Sequence, residues 1–201
     1  MKRLLCAILL LSLLLTGAAH AETWEPGDQF ELGSWSIEGD PEPLSWTVIS
    51  VNSFFLLAMA DKPVQYAPYH KGGGTMSWMN SSMRNWLNNT FLKEAFNKTE
   101  RKIVQRQQVI NIAFSDDPES GLDTWDYVYL ISSGELELYL PDGGWEIGED
   151  WWLRGHGDEG GSCAEYVDAE GVIHHEGAVL DEVKAVRPLI IVNGKQVQKK
   201  K

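Results

Sequence analysis

The amino-acid sequence predicts a single α+β domain built from mixed antiparallel strands, two or three short helices and long loops. Three observations support this fold class. Apolar and polar residues partly alternate over short segments before residue 60, as they do in half-buried strands. Apolar residues then recur at helical spacing between residues 83 and 91. Short apolar segments separated by glycine-rich loops follow to the end of the chain, an order typical of α+β domains.

The chain begins with the three parts of a secretory signal peptide. Lys2 and Arg3 supply positive charge, residues 4–15 are almost entirely apolar, and residues 19–21 have the Ala-x-Ala form that signal peptidase cleaves. The apolar run is shorter than the ~20 residues that cross a bilayer comfortably. We therefore predict cleavage after Ala21, a domain over residues 22–201, and a secreted or periplasmic location. An uncleaved N-terminal anchor is the alternative.

Charge and cysteine content restrict the function classes. The chain has a net charge of −12, and removal of the signal peptide takes two positive charges with it. Such a surface repels phosphate backbones and anionic lipids, so we expect neither nucleic acid nor a membrane as a partner. Cys163 is left alone once Cys6 departs, which excludes an intramolecular disulfide. We expect a buried, inert thiol and a monomer, with dimerisation through Cys163 as the alternative.

Three strands are predicted at the start of the domain, over residues 29–37, 44–51 and 54–60. A turn rich in proline and glycine separates the first two, and Asn52-Ser53 connects the second and third as a hairpin. Residues 61–75 contain two prolines and three consecutive glycines, so we expect a loop there.

Helical signals begin at Ser81 and Ser82, either of which can cap a helix over residues 83–89. Met83, Trp86 and Leu87 form an apolar stripe at helical period that continues to Phe91. A short second helical segment follows through residues 92–96. Thr99 has the side chain of a cap, and we predict a further helix over residues 100–107.

The remaining elements are short. The pattern predicts strands over residues 125–132, 151–154 and 186–192, a short helix over 133–140, and a hairpin of 163–167 with 172–175. Loops over 115–123 and 141–150 connect them.

Several motifs occur in an order that resembles a bacterial surface and secreted family known as domain of unknown function 6273. The resemblance covers nearly all of the predicted domain and implies no established activity. The residues that carry it are Gly27-Asp28, Phe30-x-x-Gly33, 44–49, 55–57, Trp78, 82–88, Phe91, Ala95-Phe96, 126–132, 151–154 and 186–188.

The Trp-Leu-Arg segment at residues 152–154 and the Val-Arg-Pro segment at 186–188 are also similar to C-type-lectin-like domains. This more remote resemblance implies a fold in which the chain ends pair and long loops on one face bind ligands. It indicates the fold and not the function. The calcium-binding motifs and cysteine pairs of calcium-dependent lectins are absent from the sequence, so calcium-mediated sugar binding is not implied.

Arg84, Arg154 and Arg187 lie within apolar or aromatic sequence, where a guanidinium needs a carboxylate or carbonyl partner. One interpretation is an anion or carboxylate pocket formed by convergent arginines. The other is a set of structural bridges, for which Asp126 and Glu135 are the candidate partners.

Trp145, Trp151 and Trp152 are the candidate stacking residues among nine tryptophans. In an extended segment, adjacent side chains face opposite sides, so one ring of Trp151-Trp152 can face a ligand while the other enters the core. Burial of both rings is the alternative. Trp145 lies in a glycine-rich loop and is expected to be the more exposed.

Catalytic and metal-binding patterns are weak. No Gly-x-Ser-x-Gly elbow occurs, and the pair Glu146 and Asp150 is the kind that an acidic chain contains by chance. Metal binding has only a loose candidate set that matches no motif spacing, and we expect no metal or cofactor. That set comprises His156, Asp158, Glu159, His174 and His175.

The sequence therefore favours a secreted module that binds a glycan or a protein at the cell surface. An extracellular hydrolase acting on polysaccharide or cell-wall material is the alternative, and a purely structural envelope protein is a third hypothesis.

Overall fold

The computed structural model describes residues 23–113, 118–157 and 160–200, so the predicted signal peptide lies outside the described residues. The architecture is α+β, as predicted, with mostly antiparallel strands. The strands are β1 (Gln29–Trp35), β2 (Glu42–Asn52), β3 (Phe55–Ala60), β4 (Gln65–Pro68), β5 (Val104–Gln105), β6 (Gln107–Val109), β7 (Thr124–Asp126), β8 (Val128–Leu130), β9 (Trp151–His156), β10 (Cys163–Val167), β11 (Ile173–Val179), β12 (Val183–Val186) and β13 (Pro188–Asn193). The helices are α1 (Ser82–Trp86), α2 (Leu92–Ala95) and α3 (Ser133–Tyr139).

The first sheet has the order β1-β2-β3-β13-β5, and β8 also pairs with β13. All of these pairings are antiparallel. The predicted hairpin of β2 and β3 is confirmed, and its alternating pattern buries Trp46, Val48 and Leu56. Large apolar side chains from β13 complete this part of the core.

The second sheet has the order β11-β10-β9-β12-β4. The predicted hairpin of β10 and β11 is confirmed, and β12 is parallel to β9. Strand β4 corrects the expectation of a loop over 61–75. Its four residues all pair with β12, so distant pairing stabilises a strand that its own sequence does not indicate.

The final apolar run was predicted as one strand over 186–192, but it contributes to both sheets. Strand β12 ends at Val186 and β13 begins at Pro188, so Arg187 is the point where the chain passes from the second sheet to the first. Pro188 cannot donate a hydrogen bond to a neighbouring strand, which fits its position at a strand start.

The helical segment begins as predicted. The Ser81 side chain accepts a hydrogen bond from the backbone N–H of Arg84 and so caps α1. A π-helical turn over Leu87–Phe91 joins α1 to α2 and buries both of its end residues. Strand β1 passes close to α2 at Gly33, which has φ +79°, and a Cβ there would lie 2.8 Å from the Ala95 carbonyl oxygen.

Two predicted elements are wrong. The helix over 100–107 exists only as one 3-10 turn, Glu100–Lys102, because Val104 leaves it to pair with Val192 of β13. The single strand over 125–132 is divided between β7 and β8. The Asn88 side chain accepts hydrogen bonds from the backbone N–H groups of Tyr127 and Val128 and so separates the two strands. The predicted helix α3 is confirmed and starts with a capping box formed by Ser132 and Glu135.

The two ends of the described chain lie together. Phe30 bridges to Lys199, the Lys200 backbone N–H donates to the Gln29 carbonyl at 2.6 Å, and the Trp24 indole donates to the Gly194 carbonyl at 3.1 Å. Cys163 is half-buried, more exposed than expected. Among the described helices, none has the length and apolar content needed to cross a membrane.

Candidate ligand-binding site

The three arginines that were candidate ligand-binding residues hold parts of the fold together. Arg84 donates from Nε to Asp126 at 2.7 Å and from Nη1 to the Met79 carbonyl at 2.9 Å. Buried Arg154 binds Glu135 at 2.8 Å. Both of the carboxylate partners predicted from the sequence are therefore confirmed.

The other contacts of Arg154 and those of Arg187 are to backbone. Arg154 also donates to the carbonyls of Leu130 and Ile110, at 2.6 and 3.1 Å. Arg187 donates to the carbonyls of Ala60 and Trp145, at 3.1 and 2.9 Å, and burial lowers its pKa to about 10. The structural-bridge interpretation thus describes all three arginines, and an anion pocket built from them has no support in this geometry.

The expectation that one ring of Trp151-Trp152 is exposed is wrong, because both residues have 0 % exposure. Strand β9 is interior to the second sheet and is covered on both faces. The Arg187 guanidinium lies 5.0 Å from the Trp151 ring, and the Trp152 indole donates to the Ala67 carbonyl at 2.9 Å. Trp145 is half-buried, and its indole donates to the Gly171 carbonyl at 2.8 Å.

Trp125 is the exposed tryptophan. All nine tryptophans lie in the described ranges, and Trp125 alone is classed as exposed, at 52 %. It lies at the centre of β7, which among the described strands pairs only with β6, and Gln108 is its direct cross-strand neighbour. We call β6 and β7, together with the flanking residues Arg106, Ile110–Ile112, Leu122–Asp123 and Tyr127, the ribbon.

The ribbon is anchored by its inward face. Thr124 and Asp126 are buried on either side of exposed Trp125. The Asp126 carboxylate accepts from the Trp78 indole at 3.0 Å and the Thr124 hydroxyl at 2.7 Å, in addition to Arg84. A buried carboxylate with this number of donors fixes the position of β7, and therefore the outward direction of the Trp125 ring.

The outward face of the ribbon combines an indole, a guanidinium and aliphatic side chains. The Arg106 guanidinium lies 5.9 Å from the Trp125 ring centre, and the Gln108 amide donates to Asp123 at 2.9 Å. Ile110 is 70 % exposed and Ile112 is 81 % exposed. Leu122 and Tyr127 are exposed as well. Exposed apolar side chains grouped in this way mark an interaction surface.

A cleft with a volume of about 240 Å³ lies next to the ribbon. Its walls come from five parts of the fold: the segment after β4, the ribbon, the 3-10 turn Pro118–Gly121, the start of α3, and the neighbouring strands β9 and β10. Its residues are Tyr69, Ser77, Trp78, Ile110, Asn111, Ile112, Ser120, Ser132, Ser133, Gly134, Arg154, Gly155, His156 and Glu165.

Glu165 supplies the only carboxylate among these described cleft residues. It is largely buried, accepts from the Ser133 hydroxyl at 2.8 Å, and lies 2.8 Å from Nδ1 of His175. The Ser133 hydroxyl contacts the carboxylate and not the imidazole, so these three residues lack the serine–histidine hydrogen bond of a hydrolase triad.

The second sheet is irregular where it carries Glu165. The pairing of β10 shifts register between Ala164 and Tyr166 against both β9 and β11. Gly155 makes room on β9, since a Cβ there would lie 2.2 Å from Glu165 Oε2. Irregular pairing of this kind redirects a side chain out of the sheet pattern, and here it directs a carboxylate into the cleft.

The loose set of candidate metal ligands is not brought together as one site. His174 lies 2.8 Å from Asp168 and 3.0 Å from Glu176, and these hydrogen bonds raise the pKa of His174. His175 contacts Glu165 instead, whereas Asp158 and Glu159 lie outside the described residues. Within the described ranges, no group of three or more histidine, cysteine or acidic side chains could hold a metal ion.

Sequence reasoning missed Trp125 and Glu165. Trp125 lies between two polar residues, and nothing local indicates that those neighbours are the buried ones. A weak signal for Glu165 was present in Gly155, which interrupts the apolar segment that forms β9.

Comparison with known proteins identifies a family without an assigned activity. The model of a family described as a domain of unknown function (DUF6273) matches residues 51–194. No curated protein and no solved structure gives a significant match.

Proposed function

Because the chain belongs to the DUF6273 family, whose description assigns no activity, we propose a function from the geometry alone: a module that binds a protein partner through the outward face of the ribbon. The observation that carries this proposal is the exposure of Trp125 at 52 %, beside Arg106 and the exposed aliphatic residues of the same ribbon. The remaining eight tryptophans are buried or half-buried in the fold.

The composition of this face favours a protein over a glycan. Tryptophan, tyrosine and arginine are the residue types most enriched at the energetic centres of protein interfaces. A sugar ring can stack on Trp125, but the neighbouring Ile110, Ile112 and Leu122 would meet its hydroxyl groups without offering them hydrogen bonds. A partner with apolar side chains would bury the whole group.

The setting of this function is part of the proposal. We infer that the protein acts outside the cytoplasm after cleavage at Ala21, as a monomer that recognises a cell-surface or secreted protein. We also infer a C-type-lectin-like fold. The pairing of the chain ends near Phe30 and Lys199, and the grouping of the ribbon and the cleft on later, irregular segments, support that assignment.

The proposal is tested by affinity capture from the cell-surface and secreted fractions of the producing organism, with matched baits. The baits are the wild-type domain, Trp125→Ala, Ile110→Ser, and the control Val183→Ser, which changes an exposed valine of β12 outside the ribbon. A partner that binds the wild type and the control but neither ribbon variant is then purified. Its dissociation constant is expected to rise about 30-fold or more for Trp125→Ala, the effect of removing an interface hot spot.

A glycan array probed with the same four proteins provides the contrasting result. If a glycan binds the wild type and is lost with Trp125→Ala, while no protein depends on the ribbon, the ligand class is a glycan and the proposal is wrong. Equal capture of every partner by the wild type and both ribbon variants would remove the ribbon from the function altogether.

A further inference from the structure

The cleft beside the ribbon has its own chemistry. Its walls are largely apolar, with Trp78 and Tyr69 on one side and Ile110 and Ile112 at the ribbon. The volume of about 240 Å³ is below the ~300–1,000 Å³ of sites that hold drug-sized molecules. The space therefore suits one short chain or a single small ring.

The charge of the cleft is negative. Arg154, its one described arginine, is already paired with Glu135 at 2.8 Å, and the Tyr69 hydroxyl donates to the Arg154 carbonyl at 2.8 Å. The charge of Glu165 is not neutralised in the same way. Its bonds come from a neutral hydroxyl and from His175, whose ring is mostly exposed to solvent. A carboxylate has about four acceptor positions, so Glu165 can accept further hydrogen bonds.

Asn111 places a second, solvent-shielded acceptor beside the cleft. Oδ1 of Asn111 is buried and has no hydrogen-bond partner, although Asn111 borders the cleft and its amide N–H₂ group donates to the Leu122 carbonyl at 3.0 Å. A buried acceptor without a partner carries a free-energy cost of about 1–3 kcal/mol. The fold therefore sustains this cost beside the cleft.

We propose that the cleft binds a lysine side chain presented by the protein partner, so this inference rests on the proposed function. The four-carbon stem lies between the aromatic and aliphatic walls, as such stems commonly do on apolar surfaces. The ammonium group, which carries three donors and no acceptor, donates to Glu165. The net charge of −12 on the chain adds a long-range attraction for a basic partner.

The test uses small probes, so it needs no knowledge of the partner. The probe is Nα-acetyl-lysine N-methylamide, compared with its Nε-acetylated form and with the norleucine analogue, which has the stem without the ammonium. Binding is measured from the NMR shifts of the Trp78 indole N–H and the Gly155 amide. The charged probe is expected to bind roughly tenfold or more tightly than either neutral probe, the effect of a charge-assisted hydrogen bond.

Two variants locate the charge that is recognised. Glu165→Gln keeps the shape of the side chain and is expected to weaken binding of the lysine probe roughly tenfold. Glu176→Gln removes an exposed carboxylate of β11 outside the cleft and is expected to leave binding of the lysine probe unchanged. The selectivity of the wild-type protein among the three probes is decisive even if Glu165→Gln folds poorly.

Equal binding of the norleucine analogue and the lysine probe would overturn the inference, as would tighter binding of an acetylated glutamate amide. The two proposals fail separately. Lysine-probe binding without a ribbon-dependent protein partner would sustain the cleft chemistry and contradict the proposed function. A ribbon-dependent protein partner without lysine-probe binding would support the proposed function and contradict lysine as the ligand of the cleft.

Discussion

The tryptophans of β9 and the tryptophan of β7 occupy opposite environments within one domain. Trp151 and Trp152 lie on an interior strand with neighbours on both edges and have 0 % exposure. Trp125 lies on a two-stranded ribbon whose inward positions are occupied by Thr124 and Asp126. Placing polar residues on the inward side forces the large ring outward. This comparison separates indoles that stabilise the fold from one that is available to a partner.

The largest expected loss of stability comes from changing a buried tryptophan of β9. Trp152→Ala removes a fully buried indole and is expected to lower the free energy of unfolding by about 3–5 kcal/mol. Urea-induced unfolding measures this change. A loss below about 1 kcal/mol would mean that β9 is not packed as described.

A slightly smaller effect is expected for the anchor of the ribbon. Asp126→Ala leaves the Trp78 indole, the Arg84 guanidinium and the Thr124 hydroxyl without their acceptor, at a cost of about 3 kcal/mol. Asp40→Ala removes an exposed carboxylate from a loop and should change stability by no more than about 0.5 kcal/mol. If both variants unfold at the same urea concentration, Asp126 does not hold the ribbon.

For the exposed Trp125, we expect a near-zero effect on stability. Trp125→Ala is expected to change the free energy of unfolding by no more than about 0.5 kcal/mol, since more than half of the residue surface is already in water. Thermal and urea unfolding of this variant, compared with Trp152→Ala, provide the check. A loss as large as that of Trp152→Ala would identify Trp125 as a core residue and contradict the distinction between the buried and the exposed tryptophans.

The smallest expected effect concerns the edge of the second sheet, where hydrogen bonds to Asp168 and then Glu176 raise the pKa of His174. The stability that protonated His174 contributes is complete below its unfolded pKa of ~6.5 and is lost as pH rises through the higher folded pKa. Asp168, whose pKa is lowered mainly by His174, loses its contribution as pH falls below ~3.9. The contact is therefore strongest between these limits.

An NMR titration of the His174 ring checks this expectation. Asp168→Asn should bring the midpoint down towards the ordinary value, whereas Glu170→Gln, an exposed carboxylate of the same turn, should leave it in place. An unchanged midpoint in Asp168→Asn would show that the carboxylate does not bind the imidazole in solution.

The predictable parts of the fold were those whose pattern is local. The alternation of β2 and β3, the cap at Ser81 and the start of α3 all depend on residues within a few positions of one another. Strand β4 and the division of the last strand at Arg187 depend on pairing across more than 100 residues, which no local pattern records.

The candidate site was predictable only in part, for the same reason. Asp126 and Glu135 were correctly named as candidate partners of the arginines, because a guanidinium in apolar sequence needs an acid, but which arginine binds which acid was not predicted. The outward direction of Trp125 depends on Asp126 meeting Trp78, 48 positions earlier in the chain. The direction of Glu165 depends on irregular pairing with both neighbouring strands.

The most direct test of the account is an NMR titration of the nine tryptophan indole N–H signals with the partner isolated by affinity capture. We expect the Trp125 signal to shift or broaden first and most, while those of Trp46, Trp151 and Trp152 stay in place. A titration in which the partner binds and the Trp125 signal does not change would contradict it.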